Sequence, residues 1–382
     1  ACFTELSGRI HDLPNKIYEW DRINNESRIE TPDTIPDNYF VADKASLLKE
    51  TLNAALSEIL QKSASGTGVS VLASSSSGEG AVYQSYIYTS MPGSSDEVSW
   101  VGHLHGLFLD DNGEFREDTV RDGALVLTED KIVESFFNEA ATSTEIHKSA
   151  MYRRYDVDSQ GKKKDTFQII EMDKIVPIWE AGQLLAERQE SDRKITTWLD
   201  KDNDGNVDTG EEIPFNSSNK ADLKPYLRAT DLKHSENIIN FIRGADVTVP
   251  GFRSRNIPVG SASVTWKLGD ILYSDPTLVG PPNAAMHKKY DDTSYTDFYL
   301  KYRDRRRVLY VGANDGMLHA FNAGFFHGGD NITTTGTGKE EHGYFTTTKN
   351  GSGGIPLGQE LWGFIPQELL PHLKWITRDD YT

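Results

Sequence analysis

The sequence is short of cysteine and of positive charge, and it has no long apolar run. Cys2 is its one cysteine in 382 residues, so no disulfide can close within the chain. Three readings of that thiol stay open: the severed partner of a cysteine in a missing domain, a lipid-modified terminus, or a simply exposed side chain. No stretch approaches the ~18 consecutive apolar residues of a membrane-spanning helix. No secretory leader is visible either, and the opening ACFTELSG reads as a processed or trimmed product. Lys and Arg number 40 against 58 Asp and Glu, a net charge of −18. Phosphate recognition needs a basic surface, so a nucleic-acid partner is not expected. The balance suits a soluble protein, or one that gathers divalent cations. The basic clusters at Lys162 to Lys164, and at Arg303 with Arg305 to Arg307, read as solvated turns or strand edges.

What is present is enough for a sizeable core, since 37% of the residues are hydrophobic. Residues 1–38 are polar and turn-rich and read as an irregular linker. Over 39–62, Leu47, Leu48, Leu52, Leu56 and Leu60 recur at helical spacing and predict an amphipathic helix. From about residue 63 the composition shifts to Gly and Ser, and the chain turns β-rich. AVYQSYIYTS, SWVGHLHGLFLDDNGEF, RVLYVGANDGMLHAFNA and IPLGQELWGFIP read as strands, with hairpin signals at Asn112-Gly113 and Asn314-Asp315-Gly316. Helices are expected at DKIVESFFNEA, IWEAGQLLAERQ, SENIINFIRG and PQELLPHLKWI. WKLGDILYSDPTLVG and RRVLYVGANDGMLHAFNA share Gly-Asp or Asp-Gly turns and lie ~45 residues apart, the period of a propeller blade. A β-sandwich is the competing architecture.

The most specific chemistry lies in DKDNDGNVDTGE, residues 200–211. It fits the twelve-residue calcium loop at each ligand position. Asp200, Asp202 and Asp204 take positions 1, 3 and 5. Gly205 stands at 6, where the turn needs a positive φ. Asn206 supplies its carbonyl at 7, Asp208 stands at 9, and Glu211 is the bidentate ligand at 12. Without a cation, carboxylates packed this closely repel one another. Val207, at position 8, is expected to rest against the fold. The flanks RKITTWL and EEIPF read as β-segments, and Pro214 would break an outgoing helix. This predicts a solitary calcium loop in a β-connection, without a partner hand. DVDSQGKKKD (156–165) would put Phe167 at position 12 and reads as a turn only.

Other motifs fall short. His103 and His105 face the same way on a strand, but no third metal ligand stands near them in sequence. HGGD (327–330) has no nucleophile elbow to accompany it. GTGKEE (336–341) lacks phosphate-loop spacing, with Glu340 where Ser or Thr is needed. Trp100, Trp266 and Trp362 read as packing residues rather than a cofactor cage.

Taken together, several stretches resemble the PilC/PilY proteins of type IV pili, in the family's order: VSWVGHLHGLFLDDNGEF, IWEAGQLLAERQESDRKITTW, NIINFIRG, WKLGDILYSDPTLVGPP, RVLYVGANDGMLHAFNA and ELWGFIPQELLPHLKW. The resemblance runs over roughly residues 40–382. It implies a mainly β fold, a modified, quinoprotein-like β-propeller with helical insertions over 63–382. It also implies a secreted, cell-surface protein at or near the pilus tip, acting in attachment, pilus assembly and retraction control. The implied partners are minor pilins and a host or abiotic surface. The resemblance further implies Ca2+ held by Asp200, Asp202, Asp204, the Asn206 carbonyl, Asp208 and Glu211, with occupancy linked to extension and retraction.

The family's A-type domain before the propeller has no counterpart here, and the chain stops at Thr382 where the family continues into further blades. An incomplete propeller, completed by missing blades or another polypeptide, is therefore expected. Two alternatives remain, a quinoprotein-type dehydrogenase and a structural component of a surface filament. GQELWGF resembles a quinoprotein docking motif, but there are too few copies and no vicinal cysteine pair. No catalytic residue is predicted.

Overall fold

The computed structural model describes residues 69–70, 80–94, 97–137, 150–259, 262–272, 274–329, 341–349 and 353–381. The expected N-terminal linker and the helix at 39–62 lie outside the described residues.

The β-rich reading holds, because the predicted strands are rich in the branched and aromatic residues that suit a pleated, half-buried surface. The first sheet draws on β1 (Val69–Ser70), β2 (Ala81–Pro92), β3 (Glu97–Leu109) and β4 (Phe115–Arg116). Past β5 (Ala124–Leu125), it takes in β6 (Ile132–Phe137), β7 (Ala150–Val157), β8 (Lys163–Glu171) and β9 (Trp179–Glu180). Its order is β1-β2-β3-β4-β6-β7-β8, with β9 against β3. The long β2–β3 pair is antiparallel, setting Gln84 opposite His105 and Tyr86 opposite His103. Residues 101–108 of β3 are buried on both faces, whereas the first seven residues of β8 are exposed.

The second half supplies β10 (Ile195–Trp198) and β11 (Glu212–Pro214), a small hairpin of β12 (Asn256–Val259) and β13 (Ala262–Thr265), and then β14 (Thr277–Val279). β15 (Arg307–Ala313), β16 (Met317–Gly328), β17 (Gly343–Thr346) and β18 (Glu360–Ile365) follow. The second sheet runs β11-β10-β18-β16-β15-β14. Its pairings are antiparallel except β10 on β18, where Ile195 lies beside Gly363. β17 pairs with both β16 and β5 and so ties the two halves together. The result is mainly β, in several antiparallel sheets.

Two expected helices turn out otherwise. DKIVESFFNEA contributes strand β6, paired with β7 from Ile132–Tyr155 to Phe137–Ala150. The Ile-Val and Phe-Phe pairs favour a pleated surface, and the neighbouring strand overrides the helical spacing. PQELLPHLKWI forms a 3₁₀ turn, Gln367–His372, followed by one α-turn, Leu373–Ile376. Pro371 lies inside it and cannot donate the bond a longer helix needs. The other two form as expected. Ala181–Glu187 starts on the Glu180 carboxylate, which accepts from Gly182 N at 3.0 Å. Leu232–Arg243 runs from an Asp231 cap to Gly244, at φ 109°.

The Gly-Asp turns recognised in the sequence meet in space. Asn314 N donates to Asp270 O at 2.9 Å, and Gly269 N donates to Asp315 Oδ2 at 3.1 Å. Their spacing along the chain is thus a contact between neighbouring elements. One core cluster, including Tyr83, Leu104, Phe108, Leu309 and Phe321, lies between the sheets. Another gathers Ile195, Leu199, Ile213, Phe215, Ile238, Phe241 and Ile365 beneath the acidic loop.

Candidate metal site

Residues 200–211 form the connection of a hairpin. β10 enters it, β11 leaves it, and Trp198 is paired with Glu212. The base is closed by Leu199 N donating to Glu211 O at 3.0 Å. Leu199 is fully buried, and burial of such a side chain stabilises by roughly 1.5–3 kcal/mol. That anchor fixes the direction in which the loop projects. Asp200 N is held from a third element, donating to Gln367 Oε1 at 2.5 Å.

Above this base the loop folds on its own aspartates. Asp200, Asp202 and Asp204 each present a carboxylate oxygen, and these lie within 4.8 Å of one another. Asp204 N donates to Asp200 Oδ1 at 3.2 Å, and Gly205 N donates to Asp200 Oδ2 at 3.1 Å. The turn is made by Asn203 at φ 61° and Gly205 at φ 77°, so Gly stands where the backbone is left-handed. Asn206 donates from its side chain to Asp204 Oδ2 at 2.9 Å and from its backbone to Oδ1 at 2.7 Å. These bonds stabilise the ionised form and hold the Asp204 carboxyl below its ordinary range.

Three of the six candidate ligands thus come together as side chains. Glu211 stands apart from them, buried in the hairpin at 4% exposure. Its Oε2 accepts from Asp208 N at 2.9 Å and from Trp198 Nε1 at 3.2 Å, and its Oε1 accepts from Lys201 N at 2.7 Å. The Asp208 and Lys201 amides lower its pKa. Asp208 and Asn206 are exposed at the loop's far side. Val207 does not rest against the fold but is 62% exposed. No second loop pairs with it among the described residues, and the hairpin core ends below it at Leu199 and Ile213. The donors are all hard oxygens, which suits Ca2+ or Mg2+ rather than a thiophilic metal. DVDSQGKKKD is, as expected, the β7–β8 turn, with Asp158 Oδ1 accepting from Gln160 N at 2.8 Å and Lys162 N at 2.9 Å.

His103 and His105 do face the same way, but Tyr86 separates them. It stacks on His103 at 4.5 Å and lies 5.2 Å from His105. His103 Nδ1 turns to Glu180 at 3.3 Å, whereas His105 Nε2 turns to the Tyr152 hydroxyl at 3.2 Å. Burial holds His105 down at about 4, so it is neutral at ordinary pH. Trp266 is a buried packing residue whose Nε1 donates to Gly102 O at 3.1 Å. Trp362, by contrast, is 36% exposed and packs against Tyr310 on the outer face of the sheet.

Sequence reasoning missed a buried ionic network beneath the loop. Arg193 donates from Nε and Nη2 to the two Glu360 carboxylate oxygens, at 2.8 Å each. His319 lies between Glu360 (Nδ1, 2.8 Å) and Asp315 (Nε2, 3.0 Å). Burial alone would lower the imidazole, but Asp315 and Glu360 outweigh it and raise it to about 9. Arg193 stands 122 or more residues from the other three, and Glu360 lies 41 beyond His319, so no spacing rule could assemble them. The lone His319 among the apolar residues of MLHAF was the one available signal.

No family model matches the chain, and no solved structure matches it. Two curated proteins do. The type IV pilus biogenesis factor PilY1 homolog of Xylella fastidiosa (strain Temecula1) is 30% identical over 146 residues, 37% of this chain. Type IV pilus biogenesis factor PilY1 of Pseudomonas aeruginosa (strain UCBPP-PA14) is 32% identical over 158 residues, 38% of this chain. The matched stretches span 9% and 12% of those relatives' own length, respectively. Over somewhat more than a third of its length, the chain is PilY1-like.

Proposed function

We propose that this chain is a calcium-binding, non-enzymatic portion of a type IV pilus-associated surface protein. The observation that carries the reading is the acidic hairpin loop, whose three aspartates converge on one point while its base is pinned by Leu199 and Glu211. A Ca2+ ion held by Asp200, Asp202, Asp204 and the Asn206 carbonyl, with Asp208 and Glu211 completing the set, would remove the repulsion among the carboxylates. Ligation by Glu211 would exchange its bonds to Lys201 and Asp208 for the ion. The loop and the strands beneath it would then stiffen together.

The names of the two relatives support the pilus association. The setting proposed for it is outside the cell, at the pilus tip. Its partners would be minor pilins and a host or abiotic surface, with roles in attachment, assembly and retraction. The antiparallel run β14-β15-β16-β18 has the four strands of a propeller blade. This supports a modified propeller, which further blades or another polypeptide would close.

Titration calorimetry on the full chain tests the reading. One Ca2+ site is expected, in the ~10⁻⁴ to 10⁻³ M range of extracellular modules, and absent from Asp200→Ala and Asp204→Ala. Undiminished heat in both variants would overturn it. Alcohol oxidation on addition of pyrroloquinoline quinone and calcium would instead make the chain an enzyme, and failure to capture minor pilins would remove the proposed partner.

A further inference from the structure

A small cavity lies where β3, the LGDI turn, the Asn314-Asp315-Gly316 turn and the C-terminal segment meet. It is lined by Arg253, Arg255, Lys267, Asp270, Asn314 and Asp315, among others, and has a volume of about 20 Å³. That is room for one water molecule or one small ion.

The charges around it do not balance. Asp315 is engaged by His319, and the neighbouring Glu360 by Arg193. Asp270 is left as the one lining carboxylate against three cations, and burial raises its pKa, which weakens it further as a counter-charge. None of the three cations lies within ion-pair distance of a described carboxylate. Arg253 donates to the carbonyls of Ile376 at 2.8 Å and Ser99 at 3.1 Å. Lys267, 5% exposed, donates to the carbonyls of Ala186 at 2.7 Å and Thr265 at 3.2 Å. Arg255, 7% exposed, lays its guanidinium 3.7 Å from the Phe241 ring centroid and donates to the Phe241 carbonyl. Its Nε has no acceptor among the described residues. A buried cation without a counter-charge is strongly unfavourable, and a buried donor without an acceptor adds to that cost. Burial and its neighbouring cations press Arg255 down to about 9 and Lys267 down to about 8.

We propose that this cavity is an anion site, which takes one small monatomic anion of the size of chloride against Arg255 and Arg253. The anion accepts from the Arg255 Nε and supplies the negative charge the joint lacks. Because the lining comes from both sheets, its binding ties them together. The acidic loop is not involved, so the inference stands apart from the calcium reading.

Two measurements on the full chain test it. In crystals grown with sodium bromide, an anomalous difference peak is expected in the cavity within contact distance of Arg255 Nε. An ordered water there, with no anomalous signal, would overturn the proposal. In solution, the unfolding temperature should rise with bromide or chloride beyond its value in sodium acetate or a bulkier-anion salt at equal ionic strength. Arg255→Met and Arg253→Gln should each abolish that anion-specific rise. If either folded variant keeps the full rise, the anions act elsewhere and the proposal fails. Acetate acting as strongly as the halides would also overturn the proposal, since it is too large for the cavity.

Discussion

Gly102 on β3 and Gly269 in the LGDI turn meet so closely that a Cβ on Gly102 would lie 1.9 Å from the Gly269 carbonyl oxygen. Gly102 N donates to Leu268 O at 3.2 Å, and Trp266 Nε1 donates to Gly102 O at 3.1 Å. The first sheet is thereby locked against the segment that carries the second. The obstacle to a larger residue is backbone on both sides, so it cannot swing away. Gly102→Ala should cost about 3 kcal/mol or more by urea denaturation. Gly113→Ala, with φ 80° and nothing within 4 Å of the added carbon, should cost only about 1–2 kcal/mol. Equal costs would mean that the contact is not a structural lock.

The Arg193–Glu360–His319–Asp315 network should give the fold a pH dependence between about 6.5 and 9. The His319 pKa is raised from 6.5 to about 9 in the folded chain, so folding favours the protonated ring. Its contribution is complete below about pH 6.5 and is lost as pH rises through about 9. His319→Gln leaves two buried carboxylates short of a partner and should cost about 3–5 kcal/mol at pH 6. The gap between wild type and variant should narrow as pH approaches 9 and beyond. Lys267 acts with the opposite sign, since its folded pKa is near 8 and below its ordinary value. The difference between wild type and variant is therefore the quantity to plot, and a gap that widened with pH would contradict the assignment.

The insertion between β14 and β15 is expected to be energetically silent. Its helices, Met286–Tyr290 and Thr293–Tyr302, contain no buried residue. Their rings pack on one another instead, His287 stacked on Tyr299 at 5.0 Å and Phe298 tilted against Tyr302 at 5.0 Å. Tyr290 is 64% and Leu300 is 53% exposed. Tyr290→Ser and Leu300→Ser should each shift stability by no more than about 0.5 kcal/mol in thermal or urea unfolding. A loss of 2 kcal/mol or more, well beyond ordinary surface changes, would show that the insertion is part of the core.

How much of this was legible in the sequence depends on how local each feature is. The acidic loop could be read because its candidate ligands and its positive-φ glycine lie within twelve consecutive residues, and its hairpin setting because RKITTWL and EEIPF flank it directly. The side on which Val207 would lie could not be read, since position 8 needs a neighbouring loop to cover it. Strand β6 was mistaken for a helix because the pairing with β7 that decides it comes from 13 and more residues further on. The parallel placement of β10 beside β18 joins residues such as Ile195 and Gly363, and no local pattern encodes that. Arg193 and Glu360 were unremarkable as single charges. Only their burial together gives them a role.

The central claim concerns the loop, and terbium luminescence tests it most directly. Tb3+ is a hard, oxygen-seeking ion that substitutes for Ca2+, and Trp198 sits against the loop through its bond to Glu211 at 3.2 Å. Tryptophan excitation of the full chain should produce terbium emission that calcium displaces at a single site. Asp202→Ala and Asp204→Ala should abolish the emission, while Trp198→Phe should dim it and leave calcium binding intact by calorimetry. Emission that persists in both aspartate variants, or that calcium cannot displace, would contradict the account.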